Sequence, residues 1–257
     1  MPSVREDLIL GLSVPDLRRL FYGRGCVKKD MIKTYIMDVR QLESESAFDT
    51  VLQAVSPYRR QKIALLKHKK DKNRSLGAAL SLNAALRDYE LEERSMEYDL
   101  EKQGKPVFRY YPEIHFSLSH SGDFAICSIG DVESGSDIEW VRSGKTRLAE
   151  RFFAEEELAW IRKADSAGEQ EDRMFRIWTM KESFLKVTGL GMSLPLKDFA
   201  VVMEDADTIF LRHHVNEKIY FMKEYTMPEY NTEDIRYKVS VCSESPDFTP
   251  DLTQVFL

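Results

Sequence analysis

Residues 174–187 read MFRIWTMKESFLKV, and residues 133–140 read ESGSDIEW. In the first stretch Ile177, Met180, Phe184 and Val187 form one apolar stripe at helical spacing, while Phe175, Trp178 and Leu185 lie elsewhere on the wheel. A helix apolar almost all round is largely buried. Trp178, Glu182 and Lys186 nevertheless form a row at i, i+4 and i+8. A carboxylate in such surroundings is costly unless it is paired or metal-bound. A surface Glu–Lys pair, worth about 0.3–0.5 kcal/mol, accounts for the spacing but not for the apolar setting. The second stretch reads as a strand, which puts Asp137 and Glu139 on one face, Cβ atoms about 6–7 Å apart, and turns Ile138 and Trp140 into a core. Two carboxylates on one face suit a hard divalent cation, although D-x-E alone more often marks a solvated strand face. Gly135 before them permits the close approach of another backbone or a ligand.

Working outward, the patterning predicts a strand over 32–39. Ser56-Pro57 opens a helix running to about Lys69, and Asp71 caps a second running to about Asp88. His115 to Ser119 and Phe124 to Ile129 alternate at period two around a Ser121-Gly122 turn, the pattern of a hairpin. Ser136 to Val141 reads as a further strand. Helices are expected at about 154–164 and 172–188, the second stopped by Gly189 and Gly191, then strands at 219–225 and 237–242. Each half thus carries a helix pair and mostly antiparallel strands. Asp71 to Arg74 and Asp172 to Phe175 both fall at the start of the second helix of a pair. The expected fold is α+β: a pseudo-twofold pair of similar α+β halves, each with a mostly antiparallel sheet packed against helices. The expected divisions are an N-terminal extension (1–30), an N-terminal half (31–132) and a C-terminal half (133–257), with the active site at the interface. Residues 1–30, with a short helix around 16–21, read either as a peripheral arm ahead of a natural start at Met31 or as an extra helix on the core.

The 257 residues carry 37 Lys+Arg against 43 Asp+Glu, a formal net charge of −6, and 43% hydrophobic residues. This balance excludes global disorder and a general nucleic-acid binder. Cys26, Cys127 and Cys242 form no C-x-x-C pair, which argues against a disulfide framework or a thiolate zinc site. There is no apolar run long enough for a membrane span, and the N-terminus lacks the basic region of a signal peptide. A cytoplasmic location is expected, with neither nucleic acid nor membrane as a partner.

Within this acidic chain, residues 59–74 hold eight basic residues (Arg59, Arg60, Lys62, Lys67, Lys69, Lys70, Lys72, Arg74) against Asp71 alone. Part of that run is solvated helix face, but Arg59 and Lys62 share one side, and Ser75 adds a donor for phosphate. FSLSHSG (116–122) places His120 at the end of a strand between Ser119 and Ser121, more often a structural position than a catalytic one. It is not a nucleophile elbow, because the flanking glycines are absent. Gly144-Lys145-Thr146 lacks the first glycine of a P-loop. His213 and His214 face opposite ways on a strand and make a poor metal pair.

Gly135, Asp137 and Glu139, followed about forty residues later by WTMKESFLK (178–186), closely resemble the paired signature of 4′-phosphopantetheinyl transferases of the surfactin-synthetase-activating type. SPYRRQK, Asp71, Arg74-Ser75, Gly104-Lys105-Pro106, FSLSHSG, RFFAEEE, GMSLPL and YKVSVC extend the resemblance in family order from about Met31 to Cys242. It implies a monomeric pseudo-dimer and an enzyme of the holo-[acyl-carrier-protein] synthase type. The implied donor is coenzyme A, the cofactor Mg²⁺, the acceptor a serine of an acyl or peptidyl carrier protein, and the released product 3′,5′-ADP. By resemblance Asp137, Glu139 and Glu182 are the metal ligands, and Lys186 contacts the phosphates. Arg59, Lys62, Ser75 and His120 hold the 3′-phosphoadenosine end, with Lys105 and Ser119 also near coenzyme A. The catalytic residues are expected to be Glu182, the base directly or through a metal-bound group that it orients, and Lys186. The chain departs from the family at Ser136, where an apolar branched residue is usual, and at Trp140, where a basic one is common. Two other readings remain: a Mg²⁺-dependent nucleotide phosphohydrolase, and a non-catalytic paralogue binding carrier protein or coenzyme A.

Overall fold

The chain divides into Met1–Asp30 and Met31–Leu257. The computed structural model describes residues 31–101, 103–203, 209–232 and 235–257. The expectations for residues 1–30 lie outside the described residues.

In chain order the elements are β1 (Lys33–Asp38), α1 (Glu45–Leu52), α2 (Pro57–Ala64), α3 (Lys69–Leu86), β2 (Tyr98–Leu100), β3 (Pro106–Phe108), β4 (His115–Ser121), β5 (Phe124–Gly130) and β6 (Ser134–Trp140). There follow α4 (Thr146–Phe152), α5 (Glu155–Arg162), α6 (Ala167–Thr188), β7 (Ala200–Met203), β8 (Ile209–Arg212), β9 (Phe221–Tyr225), β10 (Tyr237–Ser243) and β11 (Thr253–Val255). The fold is α+β with mostly antiparallel sheets.

Two sheets carry the site. The first has the order β11-β1-β5-β4 and the second β6-β10-β9. Every pairing in them is antiparallel except β1 with β11. Ile36, Phe124 and Ile126 of the first sheet share one apolar cluster with Ile138, Tyr237, Val239 and Val241 of the second. Away from this shared core, α3 lays Leu76 and Ala79 against Met37 and Ala125, and Leu82 and Leu86 against Tyr35 and Cys127. On the second sheet α6 packs Phe184 and Val187 against Cys242. Period two in the strands and 3.6 in the helices produce this layering, because each element hides one apolar face.

Several boundaries differ from the sequence expectation. Helix α2 stops at Ala64 rather than near Lys69, and α3 begins before Asp71. Asp71 is therefore not the cap: His68 takes that position without a side-chain bond, and Asp71 instead accepts from Arg74 Nη2 at 2.5 Å. Helix α6 begins at Ala167, five residues earlier than expected, because Ser166 caps it by accepting from Glu169 N. It ends where Gly189 takes a left-handed φ of 66°. Trp140 does not enter a core; it is 39% exposed at the end of β6, whereas Ile138 is fully buried. Strand β11 returns from the far end of the chain to pair with β1.

Candidate active site

The decisive approach is between β6 and α6, at Gly135. A Cβ built there would overlap the Ser183 carbonyl oxygen, lie 2.5 Å from Val187 N and 2.9 Å from Lys186 Cβ. Only glycine lets the strand come this close to the helix. The approach sets Asp137 and Glu139 of β6 beside Glu182 and Lys186 of α6. Lys186 Nζ donates to Asp137 Oδ1 at 2.7 Å and to the Ser136 carbonyl at 2.8 Å. Burial pushes the Glu182 carboxyl above the ordinary range, and the negative charges of Asp137 and Glu139 add to it. Burial, then Asp137, does the same to Glu139. These carboxylates therefore feel one another across the two elements.

Strand β4 seats β6 from the other side. Its serines at 117, 119 and 121 share one face by the two-residue repeat. Ser119 Oγ donates to Asp137 Oδ1 at 2.7 Å, and Ser121 Oγ donates to Glu139 Oε2 at 2.7 Å. Ser117 Oγ accepts from Ser136 N at 2.9 Å, and its carbonyl accepts from Ser136 Oγ at 3.1 Å. Ser136, the departure noted in the sequence, is thus fully buried and clasped to Ser117.

Two cavities, about 350 Å³ and 390 Å³, share Arg59, Lys62, Leu118 and Lys186 in their walls. The first adds Lys105 and Glu182, the second Ser75, Ser119 and His120. Arg59 and Lys62, three apart on α2, do face the same space. His120 meets the cavity solvent yet is walled in by protein. That enclosure, with a contribution from the Arg74 and Lys186 charges, holds its imidazole below the usual range. Lys105 forms an ion pair with Glu133, whose other oxygen lies 2.9 Å from His115 Nδ1. Eight of the ten residues singled out from sequence line these cavities. Asp137 and Glu139 are not among the residues lining these two cavities, but Asp137 is hydrogen-bonded to Ser119 and Lys186, which are. No set of three His, Cys, Asp or Glu side chains is gathered into a ready metal-holding cluster among the described residues. His213 is used otherwise, packed tilted against Phe184 and edge-on to Tyr220, with Nε2 3.1 Å from the Lys218 carbonyl oxygen.

Sequence reasoning missed the residues that hold this wall in place. The seats supplied by Ser117 and Ser121 were legible in the alternation of FSLSHSG. Glu93, which accepts from Ser56 N and Oγ at the start of α2, carried no local signal. No helix among the described residues is long and apolar enough to cross a membrane.

The sequence profile of the 4′-phosphopantetheinyl transferase superfamily (ACPS) matches residues 131–242, the segment holding Asp137, Glu139, Glu182 and Lys186. A 4′-phosphopantetheinyl transferase of Bacillus subtilis is 33% identical over 201 residues, covering 78% of this chain and 87% of that protein. The 4′-phosphopantetheinyl transferase Sfp of Bacillus subtilis strain 168 is 32% identical over 213 residues, 82% of this chain and 92% of that protein. A solved holo-[acyl-carrier-protein] synthase of Thermotoga maritima aligns with a TM-score of 0.35 at 17% identity, over 44% of this chain and 62% of that one, too distant to bear on the assignment. With the paired carboxylates and the W-x-x-K-E-x-x-x-K helix in place, and relatives this similar over most of its length, the chain belongs to the 4′-phosphopantetheinyl transferases of the surfactin-synthetase-activating type.

Proposed function

We propose that this transferase moves the 4′-phosphopantetheine group of coenzyme A to a serine of an apo acyl or peptidyl carrier protein, with Mg²⁺ as cofactor and 3′,5′-ADP as the released product. The observation that carries the reading is the shared cavity wall, where Arg59, Lys62 and Lys186 meet Glu182 on one side and Ser75 and His120 on the other. Such a wall offers cations and donors to several phosphates and one carboxylate to a hydroxyl.

On this reading Arg59, Lys62, Ser75 and His120 bind the 3′-phosphoadenosine end, with Lys105 and Ser119 further along the donor. Asp137, Glu139 and Glu182 suit Mg²⁺ in donor chemistry. All three are hard oxygen donors that repel one another, and Asp137 Oδ2 is buried with no hydrogen-bond partner. When bound, the cation neutralises charge on the diphosphate and polarises the phosphoryl group under attack. Glu182 is the base: its carboxylate lines the cavity beside Lys186, where it takes the proton of the carrier serine hydroxyl. The serine oxygen bonds to the β-phosphorus as the pyrophosphate bond breaks, and 3′,5′-ADP leaves with the electron pair. Lys186 stabilises the charge that collects on that leaving group. Positioning and charge neutralisation dominate such a transfer.

The halves 31–132 and 133–257 are read as a pseudo-twofold pair, supported by one long helix on each sheet, α3 on the first and α6 on the second. Strand β11, from the second half, completes the first sheet. A cytoplasmic monomer is proposed on the same grounds, with Cys127 and Cys242 both free and buried.

Incubation with coenzyme A, Mg²⁺ and several apo carrier proteins, followed by intact-mass analysis, tests the function. A mass gain of one phosphopantetheine on a carrier is the expected result. Cleavage of coenzyme A without modification of any carrier means hydrolysis, and no turnover at all means a binding protein; either overturns the proposal.

A further inference from the structure

Arg59 presents a physical puzzle. It is only 7% exposed, and its Nε and Nη2 are buried without a hydrogen-bond partner, yet it lines both cavities. A guanidinium buried in this way is costly unless a counter-charge holds it. The counter-charge is Glu93, itself fully buried, with Oε1 3.7 Å from Arg59 Nε. That distance is an ion pair but not a hydrogen bond, so the Nε and Nη2 groups of Arg59 remain unspent.

The carboxylate is fixed by others. Ser56 N donates to Glu93 Oε2 at 2.5 Å, Ser56 Oγ donates to Oε1 at 2.9 Å, and Tyr98 OH donates to Oε1 at 2.6 Å. Glu93 N in turn donates to Asn83 Oδ1 at 2.9 Å, which anchors it to α3. The guanidinium carbon of Arg59 sits 5.1 Å from the Tyr98 ring centre and 5.6 Å from that of Tyr58. The Tyr98 ring leans on Phe108 and Phe116, so it is held from behind. Arg59 is thereby seated by one charge and two rings, with donors left over for a ligand. Glu93 and Tyr98 touch neither cavity.

We propose that Glu93 and Tyr98 are positioning residues that hold Arg59 ready for the 3′-phosphate of the donor, and so set this enzyme's preference for a 3′-phosphorylated nucleotide. The proposal rests on the functional reading above, in which Arg59 binds the 3′-phosphoadenosine end. A carboxylate beside an anion site weakens the raw attraction; what it supplies is orientation, since without it Arg59 leaves its buried seat for solvent. The consequence falls on donor affinity rather than on the chemical step, because Glu93 and Tyr98 line neither cavity, whereas Glu182 lines the first.

The test compares coenzyme A with dephospho-coenzyme A, which lacks only the 3′-phosphate, as donors for Glu93→Gln, Tyr98→Phe and Arg59→Ala. For Glu93→Gln the coenzyme A KM should rise about tenfold with kcat within about twofold, while the dephospho-coenzyme A KM stays unchanged. Tyr98→Phe, which keeps the ring and the carboxylate, should move the same ratio about threefold. Should Glu93→Gln not fold, Tyr98→Phe alone decides. If Arg59→Ala collapses the discrimination between the two donors but Glu93→Gln and Tyr98→Phe leave it intact, or raise both KM values together, the positioning role is overturned and the Arg59 assignment stands. If Arg59→Ala itself leaves the discrimination intact, both fail.

Discussion

Lys186 Nζ sits between Asp137 Oδ1 at 2.7 Å and the Ser136 carbonyl oxygen at 2.8 Å, so one ammonium group binds α6 to β6 at the edge of the cavity. Asp137 is nearly buried, and Lys186 is its one ion-pair partner among the described residues. Lys186→Met should therefore act twice. An uncompensated, nearly buried carboxylate costs about 3 kcal/mol of stability, and loss of the cation facing the leaving group lowers transfer about a hundredfold or more. Urea titration reads the first effect and intact-mass kinetics the second. Full turnover by the variant removes Lys186 from the mechanism.

Glu182→Gln separates activity from stability in the opposite direction. Burial and the charge of Asp137 raise the Glu182 pKa, which means that its ionised form is disfavoured in the folded protein. An isosteric neutral group relieves that repulsion. The variant should melt at the same temperature or higher while transfer falls below about 1% of the parent rate, as expected for loss of a base. A variant with unchanged transfer removes Glu182 as the base, and one with lower stability shows that the carboxylate is better accommodated than its surroundings indicate.

Gly135→Ala is expected to be among the most damaging single-methyl changes. The new Cβ meets backbone atoms, the Ser183 carbonyl oxygen and Val187 N, rather than a side chain that could swing away. Separating β6 from α6 costs about 3 kcal/mol by overpacking and pulls Asp137 from Lys186. Thermal unfolding should show a large drop in melting temperature, and the residual folded fraction should transfer slowly. A parental melting temperature would mean that strand and helix can part without cost.

Ser136→Val, which restores the apolar branched side chain common in the family, should destabilise this chain by about 1–2 kcal/mol. The Ser117 carbonyl would lose the donor it has in Ser136 Oγ, inside a fully buried site. Denaturant titration of Ser136→Val and of Ser136→Ala checks this, the alanine variant isolating the lost hydrogen bond from the added methyl groups. A more stable valine variant would show that the hydroxyl is merely tolerated.

The legible and illegible parts of this molecule divide along a physical line. The 115–130 hairpin, the buried helix around Trp178 and the close approach at Gly135 each follow from a local pattern, and each is found. Arg59, Lys62, Ser75, Ser119 and His120 line one cavity; spacing alone placed Arg59 and Lys62 on one side, and Ser119 and His120 were singled out by the family resemblance. Trp140 failed because strand alternation gives direction but not depth: its side of β6 runs past the edge of the core. The start of α6 failed because Ala167 to Asp172 is polar apart from its first residue, and the signal lay in the Ser166 cap instead. Asp71 was misread because an ion pair with Arg74, three residues on, outbid the cap. Strand β11 and the Glu93–Arg59 pair were beyond reach, since each joins segments far apart in sequence and only the folded chain brings them together.

Glu133 supplies the clearest pH dependence. Burial raises its carboxyl pKa, but the hydrogen bond with His115 and the charge of Lys105 outweigh burial and bring it down to about 2. An unfolded glutamate titrates near about 4.3. Because the folded pKa is the lower one, the folded state binds fewer protons in this window, and the stabilisation is fully present above the unfolded value. It is lost as pH falls from about 4.3 toward 2, where protonation of Glu133 uncouples Lys105 and His115. Glu133→Gln should be less stable than the parent at pH 7, and the difference should shrink as pH falls through that range. Denaturant titrations at several pH values between 7 and 3 on both proteins give the comparison. A gap that stays constant across the range would show that Glu133 stabilises the fold by packing alone. Because Lys105 also lines the cavity wall, the same variant should raise the coenzyme A KM severalfold at pH 7, which donor titration checks independently of stability.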